Sequence, residues 1–151
     1  MFSSGNKSIL FDYVKDKIEH EWQPDWNMKE ERQYRDDLLT FLNKSLKKNH
    51  RIKSEDGRGL ADIGIDDEIG IELKLNLEGK SEVDRLLGQM VRYVLGKKSY
   101  DKVIIVLLGK VSLSDVRDVI YYAQKLAPPV KPDPFSFRNV QSKEIKVIQK
   151  S

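Results

Sequence analysis

The chain has 151 residues, 39% of them apolar and 34% charged, with a formal net charge of +3, no cysteine and two histidines, His20 and His50. That length suits one domain with a real core, and the lack of cysteine excludes disulfides and thiolate metal sites and fits a reducing compartment. No run approaches the roughly 18 consecutive apolar residues of a membrane span, and the start MFSSGNKSIL lacks a signal-peptide pattern, so a soluble, cytoplasmic protein without membrane contact is expected. Charge is unevenly distributed: residues 1–50 hold 9 basic and 9 acidic groups, 51–80 hold 5 and 8, and 81–151 hold 13 and 7. An acidic centre beside a basic C-terminal half suits a cation site next to an anionic partner.

From Lys7 to Trp22 the apolar residues Leu10, Phe11, Val14, Ile18 and Trp22 recur at spacings of three and four, which predicts a helix. Pro24 ends it, because the residue before a proline disfavours helix. Trp22 and Trp26 flank the break, with packing their expected role. A second helix is predicted from Met28 to about Lys48, with Tyr34, Leu38 and Leu42 as its buried stripe. Extended by one step towards the N-terminus, that stripe reaches Glu31, whereas Glu30 and Arg32 are each turned away by about 100°. A carboxylate there looks from helix to sheet, although an acid also favours a helix N-terminus in its own right.

Asn49 to Lys53 reads as a short strand and Ser54-Glu55-Asp56-Gly57 as a turn. Arg58 follows, placed either to meet a phosphate or to sit on the surface. Arg58 to Leu77 (RGLADIGIDDEIGIELKLNL) then alternates strictly. Ile63, Ile65, Ile69, Ile71, Leu73, Leu75 and Leu77 fall on one parity, and Asp62, Gly64, Gly70, Glu72 and Lys74 on the other. Alternation is the mark of strands, and Asp66-Asp67-Glu68 has hairpin-turn length. A turn centred on Asp67 pairs Ile63 with Ile71, Ile65 with Ile69, and Asp62 with Glu72. Side chains directly opposite lie about 4.5–5.5 Å apart at Cβ, so two carboxylates would face each other with Lys74 two residues beyond. An amphipathic hairpin needs a polar face in any case, so a solvated face stays open as the alternative. Gly64 and Gly70 on that face mark a close approach by backbone or ligand.

Ser81 to about Leu95 is the next predicted helix, with a capping-type start and a stop at Gly96. Leu86, Met90, Tyr93 and Val94 line its inner face, and Gln89 lies four residues before Tyr93. Asp101 to Leu108 (DKVIIVLL) is a continuous apolar run, the pattern of a strand buried on both faces. Ser112 or Ser114 caps a helix to about Ala127, with Val116, Val119, Ile120, Ala123 and Leu126 or Ala127 inward. Prolines 128, 129, 132 and 134 stiffen the next segment. Lys131, Phe135, Phe137 and Arg138 in the loop from Val130 to Asn139 suit either nucleic-acid stacking or surface packing. Glu144 to Gln149 is predicted as a final edge strand.

The run Asp62, nine residues, Glu72-Leu73-Lys74 resembles the D…(D/E)xK signature of the PD-(D/E)xK nuclease superfamily. The strict form has proline before the first aspartate, where this chain has Ala61. Gln89-x-x-x-Tyr93 resembles the QxxxY motif of the branch that includes the nuclease domains of bacterial recombination helicase-nucleases, the RecB-like group. Glu31, Asp62, Glu72-x-Lys74 and Gln89-x-x-x-Tyr93 follow the family's order, and the resemblance covers residues 28–127 of a single domain spanning 1–151. Helix 7–22 and the tail 128–151 are additions to that core.

The resemblance implies an α/β, restriction-endonuclease-like fold: a central mixed sheet, built as a three-stranded meander, a helix and a further strand, flanked by helices. It implies Mg²⁺- or Mn²⁺-dependent hydrolysis of DNA phosphodiester bonds. Asp62 and Glu72 would hold the metal, with the Leu73 carbonyl as a further ligand. Glu31 would bind the metal directly or through water, and Lys74 would position the attacking water. Gln89 and Tyr93 would orient the DNA strand, and Arg58 would touch substrate. Many members of this size act as homodimers. The competing expectation is a non-catalytic nucleic-acid-binding or protein-interaction domain on the same fold.

Overall fold

A hairpin whose one face is all isoleucine and leucine has to be covered, and the fold is built around that requirement. The computed structural model describes residues 4–46, 48–55, 60–128 and 143–151. Five strands form one mixed sheet in the spatial order β1(Ile52–Ser54), β2(Ile63–Ile65), β3(Ile69–Leu75), β4(Lys102–Leu108), β5(Glu144–Lys150). The first three are an antiparallel meander, and β4 and β5 then add in parallel. The hairpin register is the expected one, Ile63 opposite Ile71 and Ile65 opposite Ile69. Asp66 and Asp67 take φ values of 54° and 56°, the left-handed central pair of a tight turn closed by Glu68 N–H donating to the Ile65 carbonyl at 3.0 Å. The meander's first strand is short, beginning at Ile52 rather than Asn49.

Helices cover both faces. Ile63, Ile65, Ile69, Ile71 and Leu73 join Ile104, Val106 and Leu108 on one face, against Phe11, Val14, Ile18, Tyr34, Leu38 and Leu42 of α1(Ser4–Asp16), its continuation and α2(Glu31–Ser45). Val103, Ile105 and Leu107 point to the opposite face. There they meet Val83, Leu86, Met90 and Tyr93 of α3(Gly79–Leu95), and Val116, Val119 and Ala123 of α4(Leu113–Leu126). Every residue of β4 is buried, as its uninterrupted apolar run requires. Burying each large aliphatic side chain of such a strand contributes about 1.5–3 kcal/mol.

The helix ends depart from expectation for identifiable reasons. After α1 the chain continues as a π-helical turn, Lys17–Glu21, closed by Trp22 N–H donating to the Lys17 carbonyl at 2.9 Å. The carbonyls of Ile18 and Glu19 each accept from Lys150 Nζ at 2.8 Å, so a cation on β5 caps what would otherwise be exposed acceptors. Trp22 is buried and donates to Asp37 at 2.8 Å, whereas Trp26 stays 41% exposed and only leans on Tyr34. Helix α2 starts at Glu31 rather than Met28, because Gln33 Oε1 reaches back to the N–H groups of Lys29 and Glu30.

Helix α3 starts two residues before Ser81. Glu82 accepts from Glu78 N–H at 2.7 Å, and Asp115 accepts from Gly79 N–H at 3.1 Å. Gly96 ends α3 as expected but with φ −73°. Glycine is needed there because an added Cβ would overlap the Arg92 carbonyl, not for a left-handed cap. Ser112 caps α4, accepting from Asp115 N–H at 3.1 Å, and Ile120 turns outward instead of inward, at 37% exposure.

At the carboxyl ends of β3 and β4 the chain is laced together. Asn76 (φ 53°) donates its N–H to the Leu108 carbonyl at 2.8 Å and accepts from Lys110 N–H at 2.8 Å. Gly109 has φ +78°, and a Cβ there would run into the Asn76 side chain. Among the described residues no helix is long and apolar enough to cross a membrane.

Candidate active site

Strand β2 begins at Ile63, so β3 runs on from Ile71 to Leu75 without an antiparallel neighbour. The main-chain N–H groups of Leu73 and Leu75 on that side would be left unpaired, and such groups need partners. Two carboxylates supply them. Asp62 Oδ2 accepts from Leu73 N–H at 2.8 Å, and Glu31 Oε1 accepts from Leu75 N–H at 3.0 Å. Asp62 therefore sits at the register position expected of it, beside Glu72. Glu31 reaches the same strand from the first residue of α2, one ladder step further on.

Glu72 lies on the face covered by α3 and is only 4% exposed. Its carboxyl shares a hydrogen bond with Asp62, receives one from the Tyr93 hydroxyl, and has Lys74 Nζ at 3.9 Å. Burial, then the charge of Asp62 and the shared hydrogen bond, push the Glu72 carboxyl up to about 8; the Tyr93 hydrogen bond and Lys74 pull weakly the other way. Glu72 is thus the carboxyl on this face that is held towards its protonated form. Burial and the neighbouring Glu72 raise the Tyr93 hydroxyl, which remains a donor. On the polar face of the hairpin Glu72 is buried, Asp62 and Lys74 are half-buried and Glu31 is exposed, so the face is enclosed at Glu72 and reaches solvent at its edge.

Tyr93 differs from its expected part. At 2% exposure, with its hydroxyl committed to Glu72, it has no surface to offer a substrate and instead holds a carboxylate in place. Gln89 lies one turn before it, half-buried, with Oε1 the one fully buried side-chain polar atom among the described residues that has no hydrogen-bond partner. Such an orphaned acceptor is uncommon in a folded protein and points to a partner supplied from outside the chain. Arg58 and the basic-aromatic loop at 130–139 lie outside the described residues.

Two further residues of this face carried no functional signal in the sequence. The Glu55 carboxylate, only 7% exposed as a side chain, accepts from the Tyr100 hydroxyl, which itself accepts from Ala61 N–H at 3.1 Å. The glycines marked the place. An added Cβ at Gly64 would lie 2.7 Å from Glu55 Cδ, and one at Gly70 2.8 Å from the Tyr100 ring. What approaches them is this chain's own side chains. The buried Tyr100 ring cannot yield cheaply, so Gly70→Ala is expected to cost about 1–3 kcal/mol of stability. Urea unfolding followed by tryptophan fluorescence checks it, with buried Trp22 as the reporter.

The carboxyl pair fits a hard divalent cation. Asp62 and Glu72 bring oxygen donors together at a position where burial and the Asp62 charge disfavour the ionised Glu72 carboxylate, and a cation would favour it. Glu31 is not clustered with them. Among the described residues, the group of three acidic or histidine ligands whose donor atoms all lie within 4.8 Å of one another is Asp16, Glu19 and His20. That group is largely exposed, and Lys15 ion-pairs with its Asp16 and Glu19.

No family model, curated protein or solved structure matches the chain. The site therefore stands on its own geometry: two carboxyls, a lysine and a phenol gathered where one strand of a meander gives out.

Proposed function

We propose that the protein is a metal-dependent deoxyribonuclease of the PD-(D/E)xK type. The observation that carries this reading is the enclosed Asp62–Glu72 carboxyl pair with Lys74 Nζ 3.9 Å from Glu72. A structural domain has little use for two carboxyls forced together under a helix. The arrangement costs stability unless a cation repays it. The order of helix, antiparallel meander, covering helix and parallel strand supports the restriction-endonuclease-like form of the α/β fold.

Asp62 and Glu72 would hold Mg²⁺ or Mn²⁺, and Glu31 would hydrogen-bond its water shell from one ladder step away. When bound, such an ion lowers the pKa of water and stabilises charge developing on a phosphoryl oxygen. The chain's own residues do the rest. Tyr93 fixes the Glu72 carboxylate by donating to Oε2, and Asp62 is fixed by the Leu73 N–H. Lys74, with its side chain 17% exposed, keeps its ammonium at the mouth of the pair, where it orients the attacking water and neutralises the phosphate. Gln89 Oε1, buried without a partner one turn before Tyr93, would be the further group to test for a role in orienting the strand.

The test is to incubate purified protein with end-labelled single-stranded, duplex and branched DNA in Mg²⁺, Mn²⁺ or EDTA. Metal-dependent cutting supports the reading, and the product ladder separates exonuclease from endonuclease. DNA binding without cutting under every condition replaces the reading with a non-catalytic binding module. Lys74→Met, which keeps the stem and removes the charge, is expected to lower the cleavage rate by about 10²-fold or more. Manganese affinity measured by calorimetry should stay within about threefold, because Lys74 is not a ligand.

A further inference from the structure

Asp62 has to be held, yet it lies one residue before β2 and beyond the last β2–β3 pair. Two contacts from elsewhere fix its main chain. Glu55 N–H donates to the Asp62 carbonyl at 3.0 Å, adding one rung to the β1–β2 ladder beyond Ser54 and Ile63. On the other side of Asp62's own peptide, Ala61 N–H donates to the Tyr100 hydroxyl at 3.1 Å, and that hydroxyl donates to the Glu55 carboxylate. Glu55 thus grips Asp62 by its main chain and Ala61 through Tyr100, closing a ring of hydrogen bonds around the Ala61–Asp62 peptide.

The ring is enclosed, not decorative. Tyr100 is 3% exposed and packs edge-to-face on Tyr93, with ring centroids 6.1 Å apart, which links it to the residue that holds Glu72. Gly64 and Gly70 are the positions that make room for the Glu55 carboxylate and the Tyr100 ring. Both carboxylates of the pair are therefore steadied by tyrosines that touch each other: Tyr93 on the Glu72 side chain, Tyr100 on the Asp62 main chain.

We propose that Tyr100 and Glu55 are positioning residues that set Asp62 against Glu72 for cation binding; this rests on the reading of that pair as a metal site. Metal ligands tolerate little misplacement, and outer partners that orient them commonly account for about 10–100-fold in affinity. Neither residue is a ligand in this scheme. Both act through the Ala61–Asp62 peptide.

The test measures Mn²⁺ binding to the full chain by calorimetry, together with amide exchange at Ala61 in the metal-free protein. Tyr100→Phe and Glu55→Ala are each expected to weaken Mn²⁺ binding about tenfold and to speed exchange at Ala61. Glu55→Gln, whose amide oxygen still accepts from the phenol, should bind nearly as the unaltered chain does. Gly64→Ala places a methyl where the Glu55 carboxylate lies, so it should reproduce Glu55→Ala, and combining the two should cost no more than either. Wild-type Mn²⁺ affinity in Tyr100→Phe, or equal losses in Glu55→Gln and Glu55→Ala, overturns the proposal while leaving the metal site standing. An unaltered chain that takes up no Mn²⁺ overturns the metal site itself, and this inference with it. Should Tyr100→Phe not fold, the Glu55 and Gly64 variants decide.

Discussion

Asp62→Asn is expected to abolish cleavage, by about 10³-fold or more, while leaving the fold intact. The amide oxygen of asparagine can still accept from Leu73 N–H, so the main-chain bond that replaces the missing strand survives. What disappears is the negative charge that, paired with Glu72, would hold a divalent ion where charge develops on the phosphate. The loss should appear in turnover at saturating DNA rather than in DNA affinity. Single-turnover rates set beside equilibrium binding to the same oligonucleotide measure both. Wild-type cleavage by Asp62→Asn would end the assignment of the Asp62–Glu72 pair as the metal site.

Glu72→Gln is expected to abolish the loss of stability with rising pH in the metal-free protein. The carboxyl of Glu72 is raised from an ordinary value near 4.5 to about 8, so between those limits the folded state binds a proton that the unfolded chain releases. Its contribution to stability is therefore complete below about pH 4.5 and is lost as pH rises through about 8. Chemical unfolding in EDTA should show the protein losing on the order of a few kcal/mol across that window, with the Gln variant flat. At pH 8.5 the variant should be the more stable of the two. Adding Mg²⁺ should invert the order, since only the unaltered pair can exchange its proton for the ion. Below pH 8 the affinity for metal should fall by up to about tenfold per pH unit.

The hairpin was legible residue by residue because alternation and a short polar turn together leave a single register. That register put Asp62 beside Glu72 before any coordinates were needed. The buried strand β4 and the inner faces of α2 and α3 were equally plain, since their apolar periods have one interpretation. The helix termini were not, because Gln33, Glu82 and Asp115 each capped a start that composition alone leaves ambiguous. The π-helical turn was invisible for a related reason: its acceptors are met by Lys150, more than 130 residues along the chain.

Spacing places Tyr93 on the helix face turned to the sheet but does not say how deeply that face is buried, and the structure turns its hydroxyl to Glu72 rather than to the surface. Glu55 went unread because an acid in a Ser-Glu-Asp-Gly turn is normally solvated, and only the long-range contact with Tyr100 says otherwise. The two glycines were the trace it left. They reported that something came close, without saying that it belonged to the same chain.

In open α/β sheets ligands commonly enter the crevice beyond the carboxyl ends of parallel strands. Here Asn76 bridges the carboxyl ends of β3 and β4, and Gly109 lies against its side chain. On the proposed nuclease reading, DNA would meet the carboxyl pair from the side of the sheet, along the stretch of β3 that β2 does not pair. Cutting there would need no free end, so closed circular DNA is expected to be cleaved.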